Sequence, residues 1–281
     1  MPPTDEIQHG APWSSRVSRA LELTAAEPRR AGFFFDFDGT LAPIQDDPET
    51  VRPAPGVLAP LGRLASLVGR VGVVSARPVD FLRPHFADLP VTLHGLYGLE
   101  SSVPGGDVVT EPAAVPWIPV IRELTDQARA ELPAGVLVEF KRLSVGLHYR
   151  AEPALGAEVQ AWAERQAARV GLRLQTGRMV VELKPPVQRD KGSVIGEELG
   201  ELGCCWYFGD DVADLAAFAA VAKREAAGGG FVGVRVAVSN PETGDSVTGE
   251  ADLVLDSPQA IAALLTEVVE AIDLRGVPTS D

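Results

Sequence analysis

Asp36 and Asp38 stand two residues apart in Asp36-Phe37-Asp38-Gly39-Thr40-Leu41, directly after the apolar run Gly32 to Phe35. An extended backbone running into a turn can aim both carboxylates at one point, and Gly39 permits the tight turn. Two carboxylates that close repel each other unless a cation lies between them. An all-oxygen, acidic donor set suits Mg²⁺ better than it suits thiolate-seeking metals. An Asx-type turn in which Asp38 caps the next segment would look the same in sequence. A second acidic run, Gly209-Asp210-Asp211-Val212-Ala213-Asp214, also follows an apolar stretch. Asp210 is best placed to complete a cation site, with Asp211 and Asp214 supporting it from behind. Acids that merely cap a helix N-terminus would leave a similar trace. Lys191-Gly192 precedes the helical stretch Ser193 to Leu199, and Ser75 closes the run Val71 to Val74. Taken singly, a lysine is usually a solvated charge and a serine at a strand end is ordinary.

These residues need a scaffold that brings distant segments together. Four apolar runs stop abruptly at polar residues: Gly32 to Phe35 at Asp36, Val71 to Val74 at Ser75, Cys204 to Phe208 at Gly209-Asp210-Asp211, and Val232 to Val238 at Ser239-Asn240. Separated by helical stretches, they predict an α/β fold with a parallel sheet and crossover helices. Ligands of such sheets bind beyond the carboxyl ends of the strands, so Asp36, Ser75 and Asp210 are expected to share one crevice. The spacing also predicts a helix over 15–27, a last strand over 252–255, and a helix over 257–272 with Ser257 as N-cap ahead of Pro258. Residues 1–14 are polar and unpatterned and are expected to fray.

Between about 105 and 186 the rhythm changes to helix, strand, strand, repeated once: 117–132, 136–141 and 144–150, then 154–170, 172–175 and 179–184. That pattern predicts an inserted α/β domain with its helices on one sheet face. Pro104-Gly105-Gly106 and Pro185-Pro186 would be its hinges. The expected division is a core of 1–104 and 187–281 with an inserted domain of 105–186. Alternation places Glu139 and Lys141 on one face, Ser144, His148 and Arg150 on one face of the partner strand, and Glu182 with Lys184 on one side of a later strand. Such a face could read sugar hydroxyls, or it could simply be solvated.

The chain has 281 residues, room for about two domains, and 46% hydrophobic residues argue for a folded core. With 25 Lys and Arg against 39 Asp and Glu, the formal charge of −14 opposes general nucleic-acid binding. No stretch reaches the roughly 18 apolar residues of a membrane span, and the opening MPPTDEIQHG lacks a secretory pattern. The adjacent Cys204 and Cys205 fit a reducing compartment. A cytoplasmic protein without membrane or nucleic-acid partners, a monomer by default, is expected.

In their order Asp-x-Asp, Ser, Lys, Gly-Asp-Asp, these elements resemble the haloacid dehalogenase superfamily of phosphatases, over nearly the whole chain beyond residue 30. The resemblance implies a Rossmann-like core with an inserted cap, Asp36 as nucleophile, Asp38 as general acid and base, and Ser75 with Lys191 holding the phosphoryl group. It further implies Mg²⁺ bound by the carboxylates of Asp36 and Asp210 and the main-chain carbonyl of Asp38. The inserted segment narrows the resemblance: E-x-K-x-x-S-x-x-x-H-Y-R, then G-x-x-x-x-E-x-x-P and K-G, is similar to the trehalose-6-phosphate phosphatases. Membership would imply hydrolysis of trehalose 6-phosphate to trehalose and phosphate, with cap closure over the sugar and contacts from Glu139, Lys141 and Glu182. The chain departs from that family at Ser75-Ala76-Arg77, where SGR is usual, and at Tyr97, where a histidine commonly precedes the second glycine. It also lacks the threonine and two acidic residues of the usual run after Gly-Asp-Asp. Another sugar or polyol phosphate, a silent phosphosugar-binding protein and a phosphomutase are the other functions compatible with the motifs.

Overall fold

The computed structural model describes residues 13–45, 47, 49–177, 179–241 and 244–276. In chain order the elements are α1 (Ser15–Ala26), β1 (Ala31–Phe35), α2 (Leu58–Leu67), β2 (Arg70–Val74), α3 (Val79–Phe86), β3 (Thr92–Gly95), β4 (Glu100–Ser102) and β5 (Val109–Thr110). They continue with α4 (Ile118–Glu131), β6 (Leu137–Phe140), β7 (Val145–His148), α5 (Gly156–Val170), β8 (Arg173–Gly177), β9 (Val180–Lys184) and α6 (Lys191–Leu199). The chain closes with β10 (Cys204–Gly209), α7 (Leu215–Ala226), β11 (Val232–Val238), α8 (Asp245–Thr248), β12 (Leu253–Leu255) and α9 (Pro258–Gly276). The expectation for 1–14 falls mostly outside the described residues. Ser14 is an ordered N-cap whose Oγ accepts from the Val17 N–H at 3.3 Å.

Two compact units emerge, residues 1–73, 89–91 and 195–281, and residues 74–88 and 92–194. The first holds parallel strands in the order β12-β11-β10-β1-β2. Its central strands are buried along their whole length, which is why they read as unbroken apolar runs in sequence. Alternate residues of β10 show that helices cover both faces. Cys204 donates to the Ala20 carbonyl at 3.7 Å and Trp206 Nε1 to Thr24 Oγ1 at 3.1 Å, both on α1. Tyr207 points the other way and meets Phe218 of α7 edge-on, with centroids 6.0 Å apart. Across the β1–β10 register, Phe33 stacks on Trp206 and Phe35 on Phe208 at 5.7 and 4.5 Å. Truncating such a ring to alanine costs about 3–5 kcal/mol, so this aromatic ladder dominates the core of the unit.

The second unit contains the antiparallel ribbon β3-β4-β5 and a four-stranded antiparallel sheet in the order β6-β7-β9-β8. Val145 and Leu147 of β7 and Val181 and Leu183 of β9 join Ile121 and Leu124 of α4 and Trp162 of α5 in one buried core. The intervening positions 144, 146, 148 and 182 therefore face away from the helices, as the period of two requires. This arrangement is the helix-strand-strand repeat expected from sequence, with one difference. Strand β7 ends at His148, not at 150, so Arg150 lies in an exposed turn and does not share the face of Ser144 and His148.

Candidate active site

Strand β1 delivers Asp36 directly: its N–H continues the ladder by donating to the Phe208 carbonyl at 2.9 Å, and the residue is only 5% exposed. The chain then turns back on itself. The Gly39 N–H donates to the Ala42 carbonyl at 2.7 Å and the Ala42 N–H to the Phe37 carbonyl at 2.8 Å, which leaves Asp38 half-buried at the rim. Gly39 has φ +81°, and a Cβ there would sit 2.0 Å from Asp210 Oδ2, so no other residue fits the turn.

Strand β10, the neighbour of β1, brings Asp210 to the same place. Carboxylate oxygens of Asp36, Asp210 and Asp214 all lie within 4.8 Å of one another, and all three residues are buried. Their hydrogen bonds separate their roles. Asp214 Oδ1 accepts from the Tyr207 hydroxyl at 2.6 Å, and Oδ2 accepts from the Asp210 and Asp211 N–H groups, both at 3.1 Å. Both its oxygens are thus engaged in holding the loop. Asp210 Oδ1 accepts from Thr40 Oγ1 at 3.0 Å and Oδ2 from Asn240 Nδ2 at 2.7 Å, so its carboxylate is aimed from two sides. Asp211 is exposed and forms a reciprocal cap with Asp214 around a single turn over 212–214; this is the helix-capping alternative realised at that residue.

The cluster brings like charges together. Two like unit charges 4 Å apart repel by about 4 kcal/mol at an effective dielectric of 20. Burial and the neighbouring charges of Asp214, Asp36 and Asp210 drive the Tyr207 phenol well above its ordinary range, so its hydroxyl stays a donor. An all-oxygen set built from buried carboxylates fits a hard divalent cation, with Asp36 and Asp210 as the residues whose carboxylates would hold it.

Ser75 and Lys191 belong to the second unit. Ser75 is 1% exposed, its N–H donates to the His94 carbonyl at 2.9 Å, and its Oγ accepts from the Arg77 N–H at 3.1 Å. Lys191 opens α6 and is buried.

The sheet of the second unit carries another polar cluster on the face turned away from its helices. Lys141 Nζ lies 3.4 Å from Glu139 Oε2 and 3.6 Å from Glu182 Oε1. His148 Nε2 pairs with Glu139 Oε2 at 2.8 Å, and Ser144 Oγ donates to Glu182 Oε1 at 2.7 Å. Ser144 and Glu182 are 2% and 7% exposed, so this is not the solvated face that the alternation also allowed. Burial pushes the Glu139 carboxyl up, but the His148 hydrogen bond and the Lys141 charge outweigh it and hold it at about 2. Burial would discharge Lys141, yet Glu182 and Glu139 raise its pKa instead. Nearby, Lys184 Nζ sits 4.0 Å from the centre of the Tyr97 ring, whose hydroxyl accepts from Gln175 Nε2 at 3.1 Å. Burial lowers the Lys184 pKa.

Thr40, Asn240 and Tyr207 had no role in the sequence reading. Asn240 carried a signal, since it follows β11 as Asp36 follows β1 and Asp210 follows β10. Thr40 and Tyr207 gave none, because their partners lie on other elements or a turn further along.

A parallel core ending in a buried carboxylate cluster, with a separate antiparallel sheet backed by helices, is the architecture of haloacid dehalogenase-like hydrolases. A structure of such a hydrolase from Bacteroides thetaiotaomicron covers 85% of this chain and 99% of its own at a TM-score of 0.57 and 15% identity. The chain belongs to the trehalose-phosphatase family, whose model matches residues 34–258. It is 38% identical over 250 residues to a trehalose-phosphate phosphatase of Mycolicibacterium paratuberculosis, covering 85% of this chain and 62% of that relative. The fold is also that of a crystal structure titled trehalose-6-phosphate phosphatase related protein, with a TM-score of 0.72 and 23% identity over 85% of this chain and 97% of that one. The chain spans about three-fifths of the length of the curated relatives it matches. Among the described residues no helix is long and apolar enough to cross a membrane.

Proposed function

We propose that this protein is a Mg²⁺-dependent phosphatase that hydrolyses trehalose 6-phosphate to trehalose and phosphate through an aspartyl-phosphate on Asp36. The observation that carries the reading is the buried cluster in which Asp36 and Asp210 converge, with Asp210 aimed by Thr40 and Asn240. A bound Mg²⁺ would offset the repulsion between the Asp36 carboxylate and a phosphate dianion. The Asp38 main-chain carbonyl is the further oxygen ligand that the family resemblance supplies.

In the first step an Asp36 oxygen attacks phosphorus, the bond from phosphorus to the sugar oxygen breaks, and Asp38 gives that oxygen its proton. In the second, Asp38 takes a proton from water as the water attacks phosphorus, and the Asp36 carboxylate leaves. Ser75 and Lys191 hold the transferring phosphoryl group by the same resemblance, and such transfer rests mainly on positioning and charge. Residues 105–186 form the cap, in which Glu139, Lys141 and Glu182 contact the sugar. The protein acts as a monomer in the cytosol, where its two buried thiols stay reduced.

Phosphate release from a panel of sugar phosphates, with and without chelator, tests the proposal. Trehalose 6-phosphate should show the highest kcat/KM, and chelation should abolish it. A clear preference for another sugar phosphate would reject the substrate, and chelator-resistant turnover would reject the metal.

A further inference from the structure

Within the second unit, the segment from Leu96 to Glu100 is tied to two places at once. One is the loop that follows β2. The Tyr97 N–H donates to the Ser75 carbonyl at 2.9 Å, the Leu96 N–H donates to the Arg77 carbonyl at 3.0 Å, and Glu100 Oε2 accepts from the Val79 N–H at 3.1 Å. The other is the four-stranded sheet. The Tyr97 hydroxyl accepts from Gln175 Nε2 of β8 at 3.1 Å, the Tyr97 ring centre lies 4.0 Å from Lys184 Nζ of β9, and Glu100 Oε1 accepts from Arg142 at 2.9 Å. Arg142 sits in the turn between β6 and β7, directly after Lys141. The segment is held in place from both sides. Leu96 and Tyr97 have φ +50° and +59°, a left-handed backbone that side-chain-bearing residues keep only where their surroundings over-determine it, most often at functional sites. Glu100 is 3% exposed, and its two oxygens are divided between the two places. An acid buried that deeply needs such partners.

We propose that Tyr97 and Glu100 are positioning residues that fix the span between the loop carrying Ser75 and the sheet that reads the sugar. This inference rests on the sugar-phosphate reading above. Neither residue acts by touching the substrate; each acts through the elements that it joins. A sugar phosphate occupies both ends of the span together, so its phosphoryl group and its ring are aligned only when the separation is right. Misplacement by about 1 Å can cost about a hundredfold in rate. A phosphate ester without a sugar uses the first end alone, and the span does not matter to it. The bridge therefore selects by the reach of the substrate, separately from the hydrogen bonds made to its hydroxyls.

The test cuts the bridge on its sheet side. Tyr97→Phe removes the hydroxyl that Gln175 reaches and keeps the ring beside Lys184, while Arg142→Met removes the cation that holds Glu100. Each single variant and the double variant are compared with the parent on trehalose 6-phosphate and on para-nitrophenyl phosphate, which lacks a sugar. In the double variant kcat/KM for the sugar phosphate should fall about tenfold or more, mainly through kcat, while the aryl phosphate stays within about twofold of the parent. Each single variant should show a smaller fall of the same kind, and these carry the test if the double variant does not fold. Arg142→Lys, which keeps a cation for Glu100, should recover part of the loss seen in Arg142→Met. An equal fall on both substrates, or no fall on either, overturns the proposal, and so does equal loss in the lysine and methionine variants. The parent enzyme's own panel reports separately on the function. If it prefers another sugar phosphate, the comparison is made with that compound and still decides the role of the bridge. If it hydrolyses none, both readings fall.

Discussion

The two polar clusters of this protein are assembled from different partners. Around Asp210, three carboxylates crowd together, and neutral donors help to aim two of them, Thr40 and Asn240 at Asp210 and Tyr207 and backbone amides at Asp214. Around Lys141, two carboxylates share an ammonium, and each has a further partner in His148 or Ser144. The first cluster gathers three carboxylates at one point, which suits a divalent cation. The second is nearly self-neutralised. Its remaining donors and acceptors suit an uncharged, hydroxyl-rich surface.

Asp36→Asn tests the contrast hardest. It should reduce phosphate release by about 10⁴-fold or more, while circular dichroism shows the fold unchanged. A comparable rate in the variant would break the mechanism. In the other cluster, removing a charge should do the reverse. Lys141→Met leaves Glu139 and Glu182 without their shared cation and should cost about 3–5 kcal/mol in denaturant unfolding, part of which Glu182→Gln should restore. No loss of stability would show that the pairing is dispensable.

Metal supply sharpens the same contrast from outside. Mg²⁺ at a hundred times its dissociation constant should stabilise the parent protein by about 2.7 kcal/mol, and calorimetry of Asp210→Asn should show most of that gain lost. The smallest effect concerns pH. Because the folded pKa of Glu139 is about 2 against an ordinary 4.5, the stability it contributes is fully present above about pH 4.5 and lost as pH falls toward 2. Glu139→Gln should flatten that part of the stability profile, and an identical slope in the two proteins would count against the His148 and Lys141 pairing.

What was legible in the sequence follows from the range of the interactions. The buried strands β1, β10 and β11 announced themselves because burial on both faces demands unbroken apolar runs, and the acids that ended two of them marked the site. By contrast, α3 carries an internal proline, Pro84, while β4 and β5 have only three and two residues, too short for any periodicity to show. Alternation in the cap placed Glu139, Lys141, Ser144 and His148 correctly on one face but ran past the strand end at Arg150. Thr40 stayed hidden because it meets Asp210 across 170 residues of chain, a distance that local pattern does not span, whereas Asn240 was marked by its place past the end of β11.

The ring of Tyr207 leans on Phe218 while its hydroxyl steadies Asp214, which in turn fixes the amides of residues 210 and 211. One side chain thus ties the seating of α7 to the loop that carries Asp210. A shift of α7 at that ring is therefore passed, through one hydroxyl and one carboxylate, to the backbone that carries Asp210.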